Sequence, residues 1–133
     1  MDVHRFQRTP VMPTYLICVV IGQLVGFPSP SPAGWGTATV TITVACSAIS
    51  SMIADFNCDG QEVMVWAVPE HAELLKNAIA VSGPAVSFME AFTGVPFALP
   101  KMDLVAVPGK GGAMENWGLL TMDGSSPKDF VFV

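Results

Sequence analysis

The spacing of histidine, cysteine and carboxylate side chains decides which metal or nucleophile chemistry a chain can hold. The two histidines, His4 and His71, lie far apart in this sequence. A zinc site built on His-Glu-x-x-His needs two histidines four residues apart on one helix face, with the glutamate beside them. These residues cannot make one, and no metal site or catalytic residue is assigned. Cysteines occur at 18, 46 and 58, an odd number at irregular spacing with no C-x-x-C, so there is no disulfide framework. Cys18 and Cys46 stand in apolar stretches and read as buried thiols, while Cys58 in a turn-rich stretch reads as exposed. His71 reads as a surface histidine on a first helical turn rather than a ligand. Lys101 and Asp103 are two positions apart, so on a strand they share a face, and the pair reads as structural. Trp35, Trp66 and Trp117 read as packing residues. What remains is Glu115-Asn116, behind the glycine-rich stretch Pro108 to Gly112. On residue types alone that dipeptide is a solvated strand end.

The elements that must position these residues follow from periodicity. Val11 to Leu24 reads as one strand, bent near Pro13. Phe27 to Gly36 holds prolines at alternate positions, which cannot donate to a sheet ladder, and reads as a loop. Thr37 to Val44 alternates threonine with apolar residues, the pattern of a half-exposed strand. Asp55 to Gly60 carries turn chemistry ending in Asp-Gly, and Glu62 to Val68 is a further strand. Pro69 suits a helix first turn, with Glu70 and Glu73 near the positive end of the dipole. Leu74, Leu75, Ala78 and Ile79, then Val86, Met89 and Phe92, fall at helical spacing. Gly83-Pro84 between them predicts a kink or two helices, and Thr93-Gly94 ends the segment. Met102 to Val107 and Ala113 to Met122 read as strands, and the tail from Asp123 as loose. Residues 1–68 therefore look all-β and residues 69–133 α/β, with a junction near Val68-Pro69.

Composition narrows the functional classes. Charged residues make up 13% and hydrophobic residues 51%, so charge-driven disorder is excluded for the whole chain. The net charge is −5 and the basic residues are scattered, so no nucleic acid partner is expected. Thr14 to Phe27 is the most apolar stretch and has the outline of a signal or anchor segment. It falls short of the roughly 20 apolar residues a spanning helix needs, Pro13 and Gly22 interrupt it, and its Tyr, Ile and Val content favours a strand. A membrane partner is not expected. The sequence does not decide the compartment; the cytoplasm is slightly favoured.

One segment is far more specific. Leu99 to Leu119 reads LPKMDLVAVPGKGGAMENWGL. Within it, Gly112-Ala113-Met114-Glu115-Asn116 matches the GAMEN exopeptidase motif, and this stretch resembles the M1 family of zinc aminopeptidases. The flanks agree: Val95 to Leu104 (VPFALPKMDL) is similar to the family's V-P-Y-P-L-P-K-x-D-L, and Trp117-Gly118-Leu119 follows as in the family. Upstream, Phe6 to Leu16 (FQRTPVMPTYL) resembles F-x-x-T-P-x-M-S-T-Y-L, with Pro13 where Ser is usual. Met64-Val65-Trp66-Ala67 resembles the last strand of the family's N-terminal β domain. Together the anchors cover most of residues 6–120.

The resemblance implies an α+β fold: strands of an N-terminal β-sandwich in residues 1–68, with 26–59 insertion-like and rich in Pro, Ser and Thr, then the start of a thermolysin-like catalytic domain in 69–133. It implies that Gly112, Ala113, Met114, Glu115 and Asn116 bind substrate. A peptide's first residues would add as a short strand to this edge, Gly112 and Ala113 would offer backbone at close approach, Glu115 would hold the α-amine, and Asn116 would help orient it. Peptide N-termini are the implied partners. Zinc is the cofactor of the parent family, but the His-Glu-x-x-His helix lies downstream of GAMEN there, so none is expected to bind this chain alone. The expectation is a fragment of an enzyme that removes N-terminal residues, itself inactive; the alternative is a non-catalytic module binding peptide ends, or a non-functional remnant. Two departures stand out. The loop before GAMEN commonly reads P-D-F-A-A-G, whereas Pro108-Gly109-Lys110-Gly111-Gly112 is one residue shorter, with Lys in place of the aromatic. After Leu120 the family's T-Y-R-E is replaced by Thr121-Met122-Asp123-Gly124.

Overall fold

A computed structural model of the chain describes residues 11–29, 43–46, 62–99 and 101–125. Its centre is a mixed five-stranded sheet. Chain order runs through β1 (Val19–Gly22), β2 (Val25–Pro28), β3 (Thr43–Cys46), β4 (Glu62–Ala67), a 3-10 helix (Pro69–Leu75), α1 (Lys76–Thr93), β5 (Lys101–Val107), β6 (Ala113–Asn116) and β7 (Leu119–Asp123). The sheet order is β2-β4-β5-β7-β6, while β1 and β3 form a separate antiparallel ribbon. The fold is α+β, as expected.

The central strands are apolar on both sides because both sides are covered. Val63, Val65, Ala67, Leu104, Ala106 and Met122 point to one face, where they pack with Leu75 and Ala78 beneath α1. Met64, Trp66, Val105 and Leu119 point to the other, under Leu24 and the partly buried Cys18 and Val20. β4 and β5 are parallel, with Val65 opposite Leu104. A parallel pair needs a long crossover, and the helical stretch from Pro69 to Thr93 supplies it. This pairing joins strands from either side of Val68-Pro69 into one sheet.

Several expected elements differ. Val11 to Leu24 is not one strand: Pro13 precedes a 3-10 turn at Thr14–Leu16, and the chain leaves β1 at Gly22 to enter β2. Phe27 and Pro28, read as loop, lie in β2, so the five-stranded sheet includes Gly26 to Pro28 from the stretch read as insertion-like. Pro28 is tolerated there because β2 is an outer strand, where a missing N–H breaks no second ladder. The strand read at Thr37 to Val44 is seen at Thr43–Cys46; residues 37–42 and the Asp55 to Gly60 turn lie outside the described residues.

The Gly83-Pro84 break is handled within one helix. α1 runs unbroken from Lys76 to Thr93 with Pro84 inside, and ends on Gly94 in the left-handed conformation. Proline removes a donor and crowds the preceding turn. Ser29, buried just after β2, meets the ladder at that point: its hydroxyl donates to the Ile79 carbonyl and accepts the Gly83 N–H at 2.7 Å. A side chain from the sheet thus spans the rung before the proline.

Close approach explains one glycine. Gly26 lies opposite Trp66, and a Cβ at Gly26 would collide with Cζ3 and Cε3 of the indole. The bare backbone lets the ring lie flat against β2. Gly26→Ala is expected to lower stability by about 1–3 kcal/mol through overpacking, read as a lower urea midpoint of tryptophan fluorescence. An unchanged midpoint would mean that the ring has room to move.

Candidate functional site

Residues 113–116 form β6, the outermost strand on one side of the sheet. The sequence reading of Ala113 to Met122 as one strand is corrected: it is a hairpin, with Asn116 opposite Leu119 and Trp117-Gly118 as the two-residue turn. The φ of Gly118 is 77°, a region that a glycine enters without penalty and a side chain does not. That residue is what allows β6 and β7 to fold back on each other.

The hairpin gives the motif residues different environments. Ala113 and Glu115 are exposed, Met114 is half-buried, and Asn116 is buried. Pairing places Glu115 beside Leu120, on the same sheet face as α1. Asn116 sits opposite Leu119 on the other face, with its Nδ2 3.4 Å from the Met114 carbonyl oxygen. Among the described residues no cation stands within ion-pair distance of Glu115, and no strand pairs with the outer edge of β6. The 3-10 turn Thr14–Leu16 approaches β6, so two blocks far apart in sequence come together here. Sequence reasoning gave Thr14 to Leu16 no place at the site.

A buried ion pair fixes the inner side of the hairpin. Asp103 is 0% exposed. Its Oδ1 accepts the Trp66 Nε1–H at 2.8 Å, and Lys101 Nζ lies 2.5 Å from Oδ2 in an ionic contact. The Asp103 N–H donates to the Gly118 carbonyl at 3.0 Å. The expected Lys101–Asp103 pair is therefore present, and Trp66 does more than pack.

The entry to β6 is tied differently. β5 must pass over the place that β7 occupies to reach β6, and residues 108–112 make that step. Gly109, Gly111 and Gly112 have φ of 71°, 68° and 73°. Gly111 N–H donates to Asp123 Oδ2 at 3.1 Å and Gly109 N–H to Ser125 Oγ at 2.8 Å. The Asp123 side chain is held below the usual aspartate pKa, first by the Ser125 hydroxyl and then by backbone donors. The tail read as loose thus begins with two ordered, working residues. Their signal was legible as Asp-Gly-Ser, which favours side-chain-to-backbone turns.

On the α1 side of the sheet an apolar groove of about 610 Å³ runs between the helix and the sheet, bordered by Val86, Met89, Phe97, Met102 and Leu120. Among the described residues no group of three or more His, Cys, Asp or Glu comes together. These residues do not fit a zinc centre. His71 is half-buried in a 3-10 turn, with Nδ1 shielded from solvent, rather than on a free surface. No described helix is long and apolar enough to cross a membrane.

Known aminopeptidases are similar to this chain in sequence. The chain is 35% identical to aminopeptidase Q of Mus musculus over 127 residues, covering 93% of the chain and 18% of that protein. It is 39% identical to aminopeptidase Q of Felis catus over 138 aligned positions, covering 92% of the chain and 10% of that protein. With aminopeptidase M1 of Arabidopsis thaliana the identity is 29% over 122 residues, covering 91% and 11%. The chain is an M1 aminopeptidase-like segment. It spans less than a fifth of the length of these relatives, and no protein-family model matches it.

The ion pair is the feature of this segment most exposed to test. Asp103→Ala leaves Lys101 charged and half-sheltered and Trp66 without its acceptor. A loss of about 3–5 kcal/mol is expected, as for other broken buried pairs, measured by urea unfolding. A loss below about 1 kcal/mol would mean that water already satisfies the pair.

Proposed function

We propose that residues 112–116 receive the amino end of a peptide in a zinc aminopeptidase of which this chain is one segment. In this reading residues 69–133 begin the catalytic domain and residues 1–68 end the β domain before it, with β2 and β4 lending their strands to the later sheet. The observation that supports the reading is the exposed Glu115 on an edge strand whose outer side has no strand partner among the described residues.

The chemistry follows from that placement. A peptide laid along β6 gains main-chain hydrogen bonds to the free edge, which grip any sequence. Gly112 and Ala113 present bare or nearly bare backbone at the start of the strand. Glu115 then distinguishes a chain end from an internal peptide, because only the end carries an ammonium. A charge-assisted contact of this kind is worth about 1.5–3 kcal/mol. Buried Asn116 holds the end of the strand against the other sheet face and keeps the neighbouring carboxylate in register. Met114 packs inward and fixes the alternation.

Zinc, as cofactor of the parent enzyme, would polarise the first peptide carbonyl and activate water. Among the described residues no group of three or more His, Cys, Asp or Glu comes together to hold it, and the role read for this segment is recognition. The isolated chain is expected to show no zinc-dependent hydrolysis of an aminoacyl reporter.

The reading is tested by binding. Glu115→Ala should weaken a free-amine tripeptide by roughly 10- to 100-fold and leave its N-acetylated form unchanged, measured by calorimetry or NMR titration. Equal affinity of the unaltered chain for the two peptides would sink the assignment of Glu115.

A further inference from the structure

We propose that Asp123 and Ser125 form a clamp on the glycine loop 108–112, and that Asp123 is thereby a positioning residue for the peptide edge. This rests on the recognition reading given above for residues 112–116.

The loop has a physical problem. It must cross two strand spacings, about 9–10 Å, and it turns through three glycines with positive φ. Among the described residues a Cβ at Gly109, Gly111 or Gly112 would meet nothing within 4 Å, so no side-chain packing from them holds these glycines. Glycine also loses the most conformational freedom on ordering. The order of the loop must therefore come from its backbone hydrogen bonds.

Those bonds converge on one tripeptide, Asp123-Gly124-Ser125. The Gly109 N–H donates to Ser125 Oγ, and the Gly111 N–H donates to Asp123 Oδ2. The Asp123 N–H donates in turn to the Gly112 carbonyl at 3.0 Å. Lys110 and Gly124 N–H groups both donate to the Val107 carbonyl, at 3.3 and 3.0 Å. The other carboxylate oxygen, Oδ1, accepts the Ser125 N–H at 2.9 Å, which turns the serine back over the loop. Gly124 permits that turn: a Cβ there would sit 3.0 Å from the Ala106 carbonyl carbon.

Each residue type in the tripeptide has its own task. An ionised carboxylate has two acceptor oxygens, one for each side of the clamp, and Asp123 is held ionised by its donors. An amide puts an NH2 donor in the place of one of these oxygens, so it cannot accept at both positions. The position also matches the departures from the M1 pattern. The loop is one residue short at one end of the clamp, and Asp-Gly replaces Arg-Glu at the other. The shorter loop and its acceptor form one local solution, whose outcome is the placement of Gly112 and Ala113.

The test uses the full chain, isotopically labelled, with Asp123→Asn and Ser125→Ala. Asp123→Asn should speed amide exchange at Gly111 about five- to tenfold while Leu104 and Val105 keep their protection. Ser125→Ala should do the same at Gly109. Because the clamp sets backbone and not charge, Asp123→Asn should weaken free-amine and N-acetylated tripeptides by the same factor, about three- to tenfold. Glu115→Ala, by contrast, should weaken the free-amine peptide and leave the N-acetylated one unchanged. Unchanged exchange at Gly111 would overturn the clamp. Faster exchange with unchanged peptide affinity would overturn its positioning role. If the unaltered chain fails to distinguish the two peptides, the Glu115 assignment fails while the exchange data and the acetylated peptide still judge Asp123. Should Asp123→Asn lose Leu104 protection as well, Ser125→Ala decides by the same readings at Gly109.

Discussion

A carboxylate without solvent exposure must be matched by donors or it unfolds the strand that carries it. Asp103 is such a group, and its partners extend across the sheet. Trp66 reaches it from β4, and the indole can lie there because Gly26 on β2 has no side chain. Lys101 reaches it from two residues earlier on β5. Its own amide holds the Gly118 carbonyl at the turn of the β6–β7 hairpin. One buried charge thus links the outer strand β2, the central strands and the hairpin that carries Glu115. The cost of burying it makes the register specific, because a one-residue slip would turn Asp103 into the helix-side core.

The central strands and the helix were legible in the sequence because their periodicity is strong. Glu62 to Val68 and Met102 to Val107 are short apolar runs with β-branched residues, and the positions at 74, 75, 78 and 79 fit one helix face. Other features were illegible because they depend on contacts between distant segments. Nothing local in Phe27-Pro28 shows that a strand partner, Met64 to Val65, waits more than thirty residues later. The continuity of α1 through Pro84 depends on Ser29, which sequence periodicity cannot see. The hairpin at Trp117-Gly118 was hidden because Trp-Gly is not one of the Asn-Gly or Asp-Gly pairs that mark such a turn. At the site, the motif residues were readable by resemblance, and their different exposures were not. Asp-Gly-Ser carries a local turn signal, but the other task of Asp123 was missed because it is done on the Gly111 amide twelve residues earlier.

The helix is amphipathic in an unusual sense. Its buried stripe, Ala78, Ser82 and Gly83, is made of small residues, which lets α1 lie close to the sheet. Ile79 and Val86 pack against the core beside it, while Val81, Phe88, Met89 and Phe92 are exposed, and Phe88 and Phe92 stack at 5.9 Å. With the apolar groove beside Met102 and Leu120, this makes a wide uncovered hydrophobic surface, a type that associates or aggregates when left open. The sheet and the edge are therefore organised internally, while the outer side of α1 is not.

These contrasts separate two kinds of specificity in one strand. In the proposed reading, main-chain pairing along β6 would be indifferent to side chains and give grip without selection. Glu115 would add a single charge, selecting the terminus of a peptide without selecting its sequence. For that division to hold, the charge must stay at a fixed distance from the first backbone group of the edge. The Trp117-Gly118 turn is fixed at one end of the strand by the bond from the Asp103 N–H to the Gly118 carbonyl. The other end begins in a loop that has no packing of its own. A carboxylate at one end and backbone acceptors at the other therefore frame the same four residues, and the geometry of the edge is set by hydrogen bonds at both of its ends.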